Sequence, residues 1–191
     1  MKDEKKAIRN TVLSCLHMMD HEGHREYSNK IASTLYQQEE WVNAKNVGIT
    51  ISRAPELDTK PIIEKAWKQG KIVTVPKCLP KNNEMQFRRL QSFDQLETVY
   101  YGLSEPIVSE TQYIPQEQID LLIVPGVAYI PQGYRVGFGG GYYDRFLANY
   151  SGIAISLAFR EQIVENVPIE AHDIPVSKII TPERIFICNE L

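Results

Sequence analysis

The feature that most constrains this chain is a glycine-rich segment, Arg135-Val136-Gly137-Phe138-Gly139-Gly140-Gly141-Tyr142-Tyr143-Asp144-Arg145. Four glycines fall within five residues. Because glycine loses more backbone freedom on folding than any other residue, such a cluster indicates positive φ angles or close approach to a ligand. Residues 142–150 are predicted to form a helix, with Asp144 in its first turn. A glycine loop that leads into a helix N-terminus directs backbone N–H groups toward one point, which favours phosphate.

The residues around this segment indicate where such a site would lie. Residues 119–125 are apolar and are predicted to form a buried strand, so strand, glycine loop and helix follow one another. This order places a ligand site at the carboxyl end of a strand. The segment matches neither common nucleotide loop: Gly70-Lys71 is followed by Ile72, and in G-x-G-x-x-G counted from Gly137 the third glycine falls on Tyr142. A flexible surface loop is the alternative interpretation.

The rest of the chain alternates predicted helices and strands. Helices are predicted at residues 3–19, 25–38 and 59–70, and strands at 46–52, 72–76, 85–90, 153–157, 178–180 and 185–187. Asp3 is the expected N-cap of the first helix, and Thr59 or Asp58 that of the third. The strand–helix–strand order of residues 46–76 implies parallel strands with a right-handed crossover. We therefore predict one α/β domain over residues 1–191, with a mostly parallel sheet and helices on both faces.

Length, charge and cysteine content exclude several classes of protein. A chain of 191 residues forms a sizeable core, and its net charge of −3 gives no reason to expect nucleic-acid binding. No apolar run reaches the length of a membrane span, and the N-terminus lacks the apolar stretch of a secretory signal. The three cysteines are widely separated, which is typical of a reducing compartment. We expect a cytoplasmic protein, a monomer or weak homo-oligomer, that acts on small molecules without nucleic-acid or membrane partners.

Two further sets of polar side chains are candidate ligands. Lys5 and Arg9 are four residues apart, so both project from one face of the first predicted helix. A solvated basic face is the alternative interpretation of this pair. His21-Glu22-Gly23-His24 is not the H-E-x-x-H motif of a zinc site, and we interpret His17, His21 and His24 as surface residues. We find no Ser-His-Asp or Cys-His set that would supply a nucleophile.

With these residues placed, the chain resembles the 5-formyltetrahydrofolate cyclo-ligases, also called 5,10-methenyltetrahydrofolate synthetases. The resemblance runs from Lys5 to about Ile180, and it is most specific in residues 125–128 and 133–145. Weaker matches support it at the Lys5–Arg9 pair and in residues 55–59 and 157–162. It implies an α/β fold similar to that of the coenzyme A transferases.

The resemblance also implies a reaction in one-carbon folate metabolism. In this reaction, ATP and Mg²⁺ drive the closure of 5-formyltetrahydrofolate to 5,10-methenyltetrahydrofolate, with release of ADP and phosphate. The chemistry would be phosphorylation of the formyl oxygen followed by ring closure by N10. Such phosphoryl transfer needs mainly positioning and positive charge, which agrees with the absence of a nucleophilic side chain in the motifs.

Residue roles follow from the same resemblance. The implied ATP-binding residues are Lys5, Arg9, Arg135, Val136, Gly137, Phe138, Gly139, Gly140, Gly141, Tyr142 and Tyr143. The implied folate-binding residues are Ile51, Glu56, Phe138, Gly139, Gly140, Gly141 and Tyr142. Arg135, Tyr142 and Lys5 are the implied catalytic residues, and Asp144 is the implied Mg²⁺ ligand. Members of the family often carry a second acidic residue that contacts the metal, at the position where this chain has Ser177. In this chain Asp173 or water would take the place of that acidic residue.

Two other functions stay open at this point. An α/β enzyme acting on a sugar phosphate could use the same glycine loop, although its substrate would not need Glu56. A nucleotide- or folate-binding regulator without catalysis is favoured by Ser177, because an acid is missing there.

Overall fold

The helices lie largely where the sequence predicts them in the computed structural model, which describes residues 1–188. The α-helices of this part of the chain are α1 Lys2–His17, α2 His21–Tyr36, α3 Glu39–Asn43, α4 Lys60–Lys68 and α5 Tyr142–Leu147. α2 begins four residues earlier than predicted, because the Asp20 side chain accepts a hydrogen bond from the Gly23 N–H and caps the helix. The prediction that Asp3 caps α1 is wrong, since Asp3 lies inside the first turn.

The strands form one large sheet and two small ones. They are β1 Asn46–Gly48, β2 Ile72–Leu79, β3 Glu84–Leu90, β4 Leu96–Thr98, β5 Ser104–Pro106, β6 Tyr113–Ile114, β7 Leu121–Ile123, β8 Ala128–Tyr129, β9 Arg135–Val136, β10 Ile153–Leu157, β11 Lys178–Ile180 and β12 Ile185–Ile187. The large sheet has the order β12-β11-β10-β7-β1-β2-β3-β6. Its five central strands, from β11 to β2, are parallel. β12 and β3 run antiparallel to them, and the edge strand β6 pairs antiparallel with β3. The predicted mostly parallel sheet is confirmed.

Both faces of this sheet are buried, as β7 illustrates. Leu121 and Ile123 belong to a first core that also contains apolar side chains of α1, α2 and α4. Leu122 points to the other face and belongs to a second core that contains Leu147 of α5. This alternation follows from the two-residue period of a strand. Helices therefore flank both faces, as predicted. Within residues 1–188, no helix has the length and apolar content needed to cross a bilayer.

The order of the strands places two loops side by side. From β1 the chain crosses to β2 on one side, and from β7 it crosses to β10 on the other, so the topology switches between the paired strands β1 and β7. Ligands bind at the carboxyl ends of strands at such a switch point. Residues 49–59, here called the β1 loop, follow β1. The β8–β9 hairpin and then residues 137–141, here called the glycine loop, follow β7.

Some boundaries differ from the predicted ones. β1 ends at Gly48 rather than at residue 52, because the chain leaves the sheet to form the β1 loop. α5 ends at Leu147, three residues before its predicted end. The last residues of the predicted domain, 189–191, lie outside the described residues.

Candidate functional site

The glycine loop packs against α1. Nε of Arg9 donates a hydrogen bond to the carbonyl oxygen of Gly137 over 2.7 Å, although 128 residues separate them. Gly139 has φ +105° and Gly141 has φ +66°, conformations that side chains rarely adopt. A Cβ built on Gly139 would lie 3.7 Å from an Arg9 guanidinium nitrogen. The loop therefore has a defined backbone shape, with Arg9 beside it.

The other residues of the segment take three different positions. Val136 is buried in the first core, and its carbonyl oxygen accepts a hydrogen bond from the Val127 N–H over 2.8 Å. The ring of Phe138 is exposed, with 51% of its surface accessible. The ring of Tyr142 lies over Gly140, where a Cβ would approach it to 2.7 Å. Of these side chains, those of Phe138 and Tyr142 are accessible to a ligand.

Lys5 lies between two carboxylates of the segment that precedes β11. Its Nζ is 2.7 Å from Oε2 of Glu170 and 2.9 Å from Oδ2 of Asp173. Burial opposes the charge on Lys5, but the hydrogen bonds to Glu170 and Asp173 outweigh this effect and raise the pKa of the ammonium. The side chain of Lys5 is 13% exposed. Lys5 and Arg9 are thus both engaged with other elements and do not form a solvated basic face.

Arg135 and Asp144 form an ion pair next to the glycine loop. Nη2 of Arg135 is 2.7 Å from Oδ1 of Asp144, and Nη1 donates to the carbonyl oxygen of Ile174 over 2.8 Å. Ile174 directly follows Asp173, the partner of Lys5. The four predicted charged residues, Lys5, Arg9, Arg135 and Asp144, therefore surround one corner of the molecule, here called the charged corner.

The carboxylates of the charged corner determine whether Mg²⁺ would fit. Mg²⁺ prefers carboxylate oxygens and retains several waters, so Asp144, with Asp173 nearby, offers suitable donors. In this structure each is paired with a cation, Asp144 with Arg135 and Asp173 with Lys5. At the position of the second family acid, the Ser177 hydroxyl donates to the carbonyl oxygen of Ala154 over 2.9 Å. The donor chemistry thus fits Mg²⁺ at Asp144.

Glu56 lies on the β1 loop and lines a small cavity. Burial raises the pKa of its carboxyl, and the Arg53 backbone N–H and side-chain charge offset only part of this effect. The cavity has a volume of about 40 Å³, and residues of the β7 side, including Pro125 and Gly126, complete it. Ile51 is half-buried and packs against the first core. The cavity is therefore formed by the two loops that meet at the switch point.

Thr59 holds the ends of the β1 loop together. Its hydroxyl donates to the carbonyl oxygen of Thr50 over 2.7 Å and accepts from the Ser52 N–H over 3.0 Å. Thr59 consequently has no capping hydrogen bond in α4, and Asp58 accepts the Lys60 N–H instead, over 3.0 Å. Of the two predicted caps, Thr59 occupies the N-cap position of α4, and Asp58 makes the side-chain hydrogen bond to its first turn.

Tyr143 precedes Asp144 in α5 and packs against the second core. Its hydroxyl is buried and has no hydrogen-bond partner among the described residues. Burial raises its pKa well above the usual value; the charges of Cys78 and Glu56 add to the rise, and Arg135 opposes it. Tyr143 is therefore a neutral phenol within electrostatic range of both halves of the site.

His24 is a site residue that the sequence interpretation missed. It was interpreted as a surface residue, but its Nε2 is 2.9 Å from the carbonyl oxygen of Glu56. The helical period of α2 could have identified it, since His24 lies on the same face as the buried residues Ser28, Ile31 and Leu35.

A larger groove lies elsewhere and lacks suitable chemistry. It has a volume of about 310 Å³ and is lined by Trp67 and by residues 70–73 and 89–91, at the amino end of β2. Its lining contains no carboxylate and none of the predicted site residues. We therefore locate the candidate site by its side chains and not by cavity volume.

Comparisons with known proteins identify the family of the chain. A model of the 5-formyltetrahydrofolate cyclo-ligase family matches residues 1–182. The 5-formyltetrahydrofolate cyclo-ligase of Escherichia coli strain K12 is 32% identical over 169 residues, 86% of this chain and 93% of the relative. The NMR structure of Aquifex aeolicus 5,10-methenyltetrahydrofolate synthetase has a TM-score of 0.85 at 32% identity, and the match covers 98% of this chain and 94% of the other.

A more distant structure supports the fold alone. The 5,10-methenyltetrahydrofolate synthetase of Mycoplasma pneumoniae has a TM-score of 0.76 at 20% identity, over 94% of this chain and 99% of the other. The family model and the relatives at 32% identity together cover most of the described residues. The chain therefore belongs to the 5-formyltetrahydrofolate cyclo-ligase family, a family of ligases in folate one-carbon metabolism.

Proposed function

We propose that this protein catalyses the ATP- and Mg²⁺-dependent conversion of 5-formyltetrahydrofolate to 5,10-methenyltetrahydrofolate. The observation that carries the proposal is the charged corner at the glycine loop, with Glu56 on the neighbouring β1 loop. Family membership supports the same reaction. In this reaction a nucleotide occupies the charged corner, and the folate lies next to the cavity that Glu56 lines.

The chemistry requires that the formyl oxygen leaves. A formyl amide is a poor electrophile, so its oxygen first attacks the γ-phosphorus of ATP, and ADP departs. N10 then attacks the formyl carbon and loses its proton, and the oxygen departs as part of inorganic phosphate. This sequence needs positioning and positive charge around the moving phosphoryl group rather than a side-chain nucleophile.

The charged corner supplies that positive charge. Arg9, fixed by its bond to Gly137, would bind phosphate oxygens beside the glycine loop. Lys5 and Arg135 would contribute further charge-assisted hydrogen bonds, which are about twice as strong as neutral ones. Asp144 would hold Mg²⁺, which neutralises phosphate charge when bound. Backbone N–H groups of the glycine loop would complete the phosphate site.

The part of the site around the Glu56 cavity would bind the folate. A pterin edge carries amino and ring N–H groups, and the Glu56 carboxylate is a paired acceptor for them. Because burial raises the pKa of Glu56, bound N–H donors would stabilise its charged form and lower that pKa again. Ile51, the ring of Tyr142 and the backbone of residues 138–141 would border the substrate. The Tyr143 hydroxyl, neutral and without a partner among the described residues, would be a donor to it.

A coupled turnover assay tests the proposal. ADP and 5,10-methenyltetrahydrofolate should form in equal amounts, and only when 5-formyltetrahydrofolate, ATP and Mg²⁺ are all present. ATP turnover with a sugar phosphate but not with the folate would instead favour the sugar-phosphate enzyme. Binding of both ligands without turnover would favour the regulator. The expected cytoplasmic location and the monomeric or weakly oligomeric state stay predictions, and size-exclusion chromatography tests the second.

A further inference from the structure

We infer that His24 is a positioning residue, which holds the β1 loop in the shape that presents the Glu56 carboxylate to the folate. The inference deepens the proposed function and rests on it for the identity of the substrate. His24 belongs to α2, outside the loop and outside residues 125–128 and 133–145, where the family resemblance is most specific.

Hydrogen bonds within the β1 loop determine only part of its shape. Thr59 ties its two ends together, as described above. At the tip, the Glu56 N–H donates to the carbonyl oxygen of Arg53 over 2.9 Å and closes a tight turn. The Glu56 carboxylate has one weak contact inside the loop, Oε2 to the Arg53 N–H at 3.3 Å. Neither end of the loop therefore fixes the direction of this carboxylate.

His24 supplies support from outside the loop. Its Nε2 is 2.9 Å from the carbonyl oxygen of Glu56 and 3.3 Å from that of Pro55. Both partners can only accept, so Nε2 must carry the hydrogen and donate it. The ring centroid lies 5.0 Å from that of the fully buried Phe159, at an angle of 52°. This packing fixes the ring and hence the direction of the N–H group.

The contact acts on Glu56 itself. Because its carbonyl oxygen is held by α2, the backbone from which the carboxylate extends is fixed relative to the core. A second contact from outside, from the Arg53 guanidinium to the carbonyl oxygen of Tyr101, holds the exposed side of the tip. Without His24 the tip would keep its local turn, the burial of Leu57 in the first core and this exposed contact. The Glu56 carbonyl oxygen would lose its bond to α2, and the carboxylate would sample other directions.

Two variants separate the donor from the ring. His24→Phe retains the packing against Phe159 and removes the N–H donor. His24→Gln removes the ring and places an amide N–H₂ group about where Nε2 lies. His21→Phe is the matched control, because His21 is exposed at the start of the same helix. Each variant is assayed for kcat and for KM with both substrates, and the ligand-free proteins are compared by hydrogen exchange of residues 53–57.

The expected result is specific to the folate. His24→Phe should raise KM for 5-formyltetrahydrofolate about 3- to 10-fold, the effect of one ordinary hydrogen bond. KM for ATP should change less than about twofold, and the Glu56 amide should exchange faster, since its turn opens more often. His24→Gln should have a KM for 5-formyltetrahydrofolate close to that of the parent. His21→Phe should match the parent in both KM values and in exchange.

Other outcomes would refute either the role of His24 or the proposed function, and the two cases can be distinguished. An active parent with an unchanged folate KM in His24→Phe would refute the positioning role alone, as would equal rises in KM for both substrates. If His24→Phe does not fold, His24→Leu replaces it as the variant without a donor: a folate KM raised about 3- to 10-fold supports the role, and an unchanged one contradicts it. An inactive parent would refute the proposed function, and unchanged exchange at Glu56 would then refute the His24 contact as well.

Discussion

Replacing Gly137 with alanine tests the glycine loop most cleanly. Gly137 does not have a positive φ, and a Cβ built on it meets no atom within 4 Å. Its carbonyl oxygen, which Arg9 binds, is unaffected by the change. In the ligand-free protein, Gly137→Ala should therefore be neutral or stabilising by about 0.4–1 kcal/mol, because the unfolded chain loses freedom. For a chain of this size, that corresponds to a rise in Tm of about 1–4 °C.

The same methyl group should interfere with a bound nucleotide. At a concentration of 100 times its Kd, ATP stabilises the parent by about 2.7 kcal/mol, or roughly 5–11 °C. If the methyl group displaces the phosphates and weakens binding a hundredfold, the stabilisation falls to about 0.4 kcal/mol, less than about 2 °C. Gly137→Ala should thus combine an unimpaired ligand-free Tm with loss of the ATP effect and of turnover.

Thermal melts with and without Mg·ATP, together with the turnover rate, measure both effects. Gly70→Ala is the control: Gly70 has φ +73° and open space around it, at the end of α4. A left-handed alanine costs about 1–2 kcal/mol, so this control should melt lower yet retain its full ATP effect. A normal rate and a full ATP effect in Gly137→Ala would refute the assignment of Gly137 to the nucleotide site.

Three further predictions concern charged residues. The double variant Lys5→Ala/Arg9→Ala should weaken ATP binding at least about tenfold, because each charged contact contributes roughly 1.5–3 kcal/mol. Folate binding should be unchanged, and an ATP affinity equal to that of the parent in titrations would contradict the prediction. Asp144→Asn should raise the Mg²⁺ requirement and lower turnover, whereas a large loss of stability with normal Mg²⁺ dependence would indicate that Asp144 only pairs Arg135. Glu56→Gln should abolish folate binding. Because the pKa of Glu56 is raised in the folded state, ionisation of this carboxyl lowers the free energy of unfolding as pH rises through that pKa. Glu56→Gln should therefore be at least as stable as the parent at pH 7, with the difference shrinking at lower pH in melts.

Local patterns predicted much of the fold. The apolar run around β7 and the alternation of helices and strands are set by short-range periodicity, and both predictions are confirmed. Short-range periodicity does not determine the pairing direction of the edge strands, because it depends on neighbours distant in the chain. The predicted start of α2 at residue 25 is four residues too late, because the Gly23 N–H group bonds to Asp20 and the helix begins directly after that cap.

The candidate site was predictable in its residue types but not in its pairings. The spacing of Lys5 and Arg9 placed them on one helical face, yet Lys5 pairs with Asp173, 168 residues away, and only the tertiary fold brings those two together. The glycine cluster indicated positive φ angles, but the packing of the loop decides that Gly139 and Gly141 adopt them. The helical period of α2 places His24 on its buried face, but its acceptor, a backbone carbonyl oxygen, carries no sequence signal.

The fate of the formyl oxygen tests the central proposal most directly. 5-Formyltetrahydrofolate carrying a heavy oxygen isotope in its formyl group is converted with unlabelled ATP in unlabelled water, and the inorganic phosphate is analysed by mass spectrometry. If the phosphoryl group passes to the formyl oxygen, each phosphate released with 5,10-methenyltetrahydrofolate carries one labelled oxygen. Unlabelled phosphate accompanying the product would show that water attacks ATP instead, and it would contradict the proposed reaction at the charged corner.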